Sequence, residues 1–155
     1  MTTDVDSIFA TLDDVGILHR DSLVGCTAKE IDAVRSHFSR KLPLAYEDFL
    51  RLAGGGAGRL FRGSDIFYPR LLALQNFAKE LLIENGESIS LPADAMVFFM
   101  HQGYEFCFLL PVNEDPPVFQ YVEGQVGFAN PWGKFSEFLK ASIAAHLEGW
   151  ANLNR

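Results

Sequence analysis

LPLAYEDFLRLAGGG, residues 42–56, holds the pattern on which the fold turns. Tyr46, Phe49, Leu50 and Ala53 stand at i, i+3, i+4 and i+7, the spacing that gives a helix one apolar face. Pro43 suits the first helical position, where its missing N–H leaves no bond unmade. Glu47 and Asp48 fall in the first turn and Arg51 near the end, as the helix dipole favours. Gly54 is then expected to stop the helix as a left-handed C′ residue, with its neighbours permitting a sharp exit.

The glycine cluster Gly54–Gly58 also invites comparison with a phosphate-binding loop. A Walker loop counted from Gly58 reaches Gly63, but Ser64 and Asp65 occupy the places of its lysine and Ser/Thr. A dinucleotide fingerprint counted from Gly54 and Gly56 meets Arg59 where its third glycine belongs. Both motifs need a strand before the loop and a helix after it, whereas here a helix runs in. The cluster reads as a turn.

Upstream, Thr27-Ala-Lys-Glu30 is a capping box, and Ile31, Val34 and Phe38 line the helix it opens. Val5, Ile8, Phe9, Leu12 and Val15 have helical spacing in a first helix, with Gly16 as its stop. Downstream, Leu71, Leu74, Ala78, Leu81 and Leu82 mark a fourth helix ending near Gly86. There the period changes. MVFFM (96–100), FCFLL (106–110) and VFQYV (118–122) read as largely buried strands of an antiparallel meander, with a shorter strand at Val126–Phe128. Phe135, Phe138, Leu139, Ile143 and Leu147 close the chain with a last helix.

Helices, then a strand meander, then a helix is an α+β order: a mainly antiparallel sheet with helices packed on it. The 155 residues, 48% hydrophobic, suit a single domain spanning 1–155. No apolar run reaches the roughly 18 residues of a membrane span. The start, MTTDVDS, has no positive charge and leads into no signal-type core, so a cytoplasmic location is expected. Cys26 and Cys107 fit reduced thiols in that compartment, one disulfide between them being the alternative.

The net charge of −7 is unevenly placed. Residues 1–70 hold nine Lys or Arg against ten acids, whereas residues 71–154 hold three against ten. From Glu80 to Gly133 there is no Lys or Arg, against eight acids: Glu80, Glu84, Glu87, Asp94, Glu105, Glu114, Asp115 and Glu123. Such a field repels nucleic acid and favours a cationic partner; the plainer reading is acidic solubility.

Catalytic chemistry is thinly represented. Histidines 19, 37, 101 and 146 have no HxxxH or HExxH spacing, so no metal site or cofactor is expected. No serine lies in a G-x-S-x-G elbow. Cys107 sits inside FCFLL, where apolar surroundings raise a thiol pKa rather than activate it. His101 and Glu105 flank the HQGYE turn and could meet across it.

The run Gly25-Cys-Thr-Ala-Lys-Glu30-Ile31, then Leu42-Pro43-Leu-Ala-Tyr46-Glu-Asp-Phe49-Leu50, then Gly54-Gly55 resembles the opening signature of the SUKH superfamily. The resemblance covers about residues 23–147, with Ala53 standing where members often carry Asn or a similar polar residue. It implies an α+β domain that binds proteins and has no shared catalytic residues. Bacterial members are largely immunity proteins that neutralise polymorphic toxins, often nucleases or deaminases. Fungal members include a regulator of cell-wall synthesis.

The expectation is therefore a non-enzymatic immunity protein with a basic toxin domain as partner. The candidate acids are Glu105, Glu114, Asp115 and Glu123, at strand ends and turns, with Tyr104 and Tyr121 as aromatic anchors. A general regulatory interaction module is the second reading. A small enzyme assembled from scattered residues such as His101, Glu105 and Asp115 is the third.

Overall fold

The computed structural model describes residues 4–14 and 20–153. In chain order it contains α1 (Asp4–Asp14), β1 (Leu23–Val24), α2 (Ala28–Phe38), α3 (Leu44–Ala53), β2 (Gly56–Ala57) and β3 (Ser64–Asp65). Then come α4 (Leu74–Glu84), β4 (Met96–His101), β5 (Glu105–Leu109), β6 (Val118–Val122), β7 (Ala129–Trp132) and α5 (Phe135–Leu153). This is the expected α+β order. The expectations for Val15, Gly16 and His19 lie outside the described residues.

The apolar stripe of α3 is fully used: Ala45, Tyr46, Phe49, Leu50 and Ala53 are all buried. Pro43 is the residue before the helix rather than its first turn, with ψ 142°. Gly54 also departs from expectation. Its φ of −65° is right-handed, so no left-handed residue ends this helix. Glycine is needed there for space instead: a Cβ would stand 2.6 Å from Cys26 Sγ and 2.7 Å from Leu50 Cα. At Gly25 a Cβ would stand 2.0 Å from the Arg51 carbonyl oxygen. The two glycines let the segment before α2 lie directly on the end of α3. The Cys26 amide donates to the Leu50 carbonyl at 2.8 Å and the Gly55 amide to the Val24 carbonyl at 2.7 Å.

The capping box of α2 forms as read. The Glu30 amide donates to Thr27 Oγ1 at 3.1 Å, and the Thr27 amide donates to Glu30 Oε1 at 2.9 Å. Arg35 on α2 meets Glu47 on α3, while Arg51 pairs with Asp48 at 2.8 Å.

The main sheet is antiparallel with strand order β3-β4-β5-β6-β7, and β1 and β2 pair separately. The strand expected at Val126–Phe128 falls instead at Ala129–Trp132. Gly124 and Gly127 have φ of 91° and 69°, which turns the chain, and Val126 projects fully into solvent. In β7, Pro131 sits on the sheet edge, where its missing N–H is tolerated. The two-residue strands β1, β2 and β3 are too short to carry a hydrophobic period.

The runs in β4 and β5 do not alternate because both faces of these strands are covered. A register slip between Val97 and Phe99 turns Phe98 and Phe99 to the same side. There they join Tyr46, Phe135 and Phe138 from α3 and α5. A second aromatic cluster, Phe106, Phe108, Phe119, Tyr121 and Phe128, lies on the other side. α4 packs beside it, its Gln75 accepting the Val97 amide and donating to the Ala95 carbonyl.

Both cysteines are free and buried. Burial, with Glu30 nearby, pushes the Cys26 thiol up to about 11, and burial raises Cys107 well above its ordinary value. Burial likewise raises the Tyr46 phenol, whose hydroxyl has no hydrogen-bond partner among the described residues. These groups hold their protons more tightly folded than unfolded. Their contribution to stability is complete below the ordinary thiol value of 9.0 and is lost as pH rises through the raised values. Burial lowers His37 from 6.5, so its contribution is complete above that pH and is lost on acidification. Urea unfolding across pH 5–11 is expected to show stability falling at both ends of this window; undiminished stability at the alkaline end would contradict it.

Candidate functional site

The β4–β5 turn places Gln102 and Gly103 at φ 49° and 76°, and the Tyr104 amide closes it on the His101 carbonyl at 3.3 Å. Tyr104 is left 39% exposed at the tip. The Glu123 amide donates to the Tyr104 carbonyl at 2.9 Å, which brings the turn after β6 alongside. Tyr104, Glu105 and Glu123 therefore gather at one end of the sheet.

α4 brings more acid to that end. Glu80 and Glu84, one turn apart, line an open groove of about 260 Å³ with Asp65, Met100 and Gly103. Gly86, at φ 64°, ends the helix in a left-handed turn, with the Glu87 amide reaching back to the Leu82 carbonyl at 3.0 Å. Among the described residues no ion pair reaches Glu80, Glu84, Glu87 or Glu123. Sequence reasoning had not chosen Glu80, Glu84 or Glu87 as contact residues. For Glu80 and Glu84 the signal was their place on the amphipathic α4; Glu87 lies beyond its end.

Tyr121 is not a surface anchor. Its ring is fully buried against Phe106, and its hydroxyl accepts from Asn85 Nδ2 at 2.9 Å and donates to Glu87 Oε1 at 3.2 Å. Position 121 alternates onto the aromatic side of β6, away from solvent.

Glu114 and Asp115 lie at the opposite end, separated from the first group by the five residues of β5, about 17 Å. They do not form one face with Tyr104 and Glu123. The Glu114 carbonyl accepts the Ala45 amide at 2.9 Å in the first turn of α3, leaving its carboxylate exposed. Asp115 accepts the Ser136 amide at 2.9 Å and the Ser136 hydroxyl at 2.6 Å, capping α5 from outside the helix. This carboxylate is committed to the fold. Asp115→Ala is expected to cost about 2 kcal/mol by urea denaturation, whereas Glu114→Ala, which keeps the backbone bond, stays near wild type.

His101 and Glu105 are register partners, yet their side chains part. His101 Nδ1 shares a 2.8 Å hydrogen bond with Ser64 Oγ, and the Glu105 carboxylate accepts from Gln120. Asp115 is at the far end from both, so the three residues of the enzyme reading do not assemble into one site. Among the described residues no group of His, Cys, Asp and Glu is arranged to hold a metal ion. No helix among them is long and apolar enough to cross a membrane.

The family model for the SMI1 / KNR4 family (SUKH-1) matches residues 25–141. No curated protein matches the chain.

Proposed function

The chain belongs to the SMI1 / KNR4 family (SUKH-1), and on that premise we propose that it is an immunity protein that binds and neutralises a cognate toxin. The observation that carries this reading is the acid-rich end of the sheet. Glu80 and Glu84 line the groove beside the β4–β5 turn that carries the exposed Tyr104, and Glu123 bonds to that turn through its amide. Among the described residues no ion pair includes these three acids. A nuclease or nucleic-acid deaminase needs a basic surface to hold phosphates. An acidic protein competes for that surface and is steered onto it by long-range attraction. Its place of action is the cytoplasm of the cell that makes the toxin, and the mode of inhibition is physical occlusion.

The test is co-expression with the product of the adjacent gene. Rescue from toxicity and a co-purifying complex whose affinity falls with salt are expected. Glu123→Lys should weaken that complex, whereas Glu114→Lys, at the other end, should not. Absence of both rescue and complex sinks the pairing. A complex with a cellular protein and no toxin would make the chain a regulatory interaction module.

A further inference from the structure

We infer that the groove between α4 and the β4–β5 turn receives a cationic side chain, an arginine, of the partner protein. The groove already contains one guanidinium. Arg70 places its Cζ 4.8 Å from the centroid of Phe77 and its Nε 3.7 Å from Asp65 Oδ2. This internal arginine answers one carboxylate and one aromatic face, the two kinds of group that suit a guanidinium. Glu80 and Glu84 line the same groove, and among the described residues no ion pair includes either of them.

Their placement works against the helix that carries them. Two like charges at i and i+4 repel each other. Both also lie toward the C-terminal end of α4, where the helix dipole disfavours acid, and its last turn holds no basic residue. A cation between Glu80 and Glu84 relieves both strains at once.

The shape fits a single side chain. At about 260 Å³ the groove is smaller than the pockets of roughly 300 Å³ and above that take drug-sized ligands. Leu81 and Met100, both nearly buried, offer an apolar floor for the methylene stem of an arginine. Gly103 also lines the groove, and a Cβ there would meet nothing within 4 Å.

The identity of the partner rests on the immunity reading, but the groove can be tested without it. The full chain, labelled with ¹⁵N, is titrated with a capped hexa-arginine peptide and followed by amide shifts, which also report folding. Shifts centred on Leu81, Met100 and Gly103 are expected, with binding weakened about tenfold in Glu80→Gln/Glu84→Gln and unchanged in Glu114→Gln. Shifts elsewhere, or equal weakening by Glu114→Gln, overturn the inference. In the toxin assay, full protection by Glu80→Gln/Glu84→Gln overturns the groove while the immunity reading stands. Groove-specific peptide binding without protection from any toxin upholds the groove and removes the immunity reading.

Discussion

Gly25→Ala will destabilise the protein by about 3 kcal/mol, at the upper end of what overpacking costs. The new methyl group would stand 2.0 Å from the Arg51 carbonyl oxygen, which is backbone and cannot swing aside. Relief requires the segment before α2 to lift from the end of α3, stretching the bond from the Cys26 amide to the Leu50 carbonyl. Gly56→Ala is the control. Its Cβ would meet only Val24 side-chain atoms at 3.8 and 3.9 Å, ordinary contact, so its unfolding midpoint should stay close to wild type. Equal stability of the two variants in urea would refute the spatial account of the glycines.

Phe138→Ala should cost about 3–5 kcal/mol, the range for deleting a buried phenylalanine ring. Phe138 is 2% exposed and lies where the sheet, α5 and the chain after α3 converge. Its ring stands 5.1 Å from that of Phe98, 5.5 Å from Phe99 and 5.2 Å from Trp132, with Phe61 stacked at 6.2 Å. Close-packed neighbours on both strand and helix cannot collapse together into the space left. For a chain of this size the loss lowers the melting temperature by about 10 °C, measurable by calorimetry. Phe138→Leu, which keeps part of the volume, should recover a substantial share.

What could be read in the chain follows the range of the forces involved. The capping box at Thr27 and the stripe from Tyr46 to Ala53 are local, and both form where their spacing placed them. Gly54 shows the limit of local reading. Its position in a turn was legible, but its reason was not, because Cys26 crowds it from far along the chain. Asp115 looked like any loop acid; its partner Ser136 is 21 residues away. Val126 carries a strand former's side chain, yet the glycines at 124 and 127 outweigh that preference. Tyr121 could be assigned to a strand, but strand period alone does not say which side meets solvent. The acid-only run was visible from composition. Its division between two ends of the sheet is set by the hairpins, which no charge count contains.

The double covering of β4 and β5 has a consequence for how this protein can change partners. A sheet with a bare face can recruit its strands for recognition, and each altered contact then alters the core behind it. Here β4 and β5 are packed on both sides, so their side chains leave little for a partner to reach, whereas the turns and the outer side of α4 stay at the surface. Tyr104, Glu123 and Val126 can be exchanged one at a time with little disturbance to the packed rings. The scaffold can thus stay constant while the residues at its rim change.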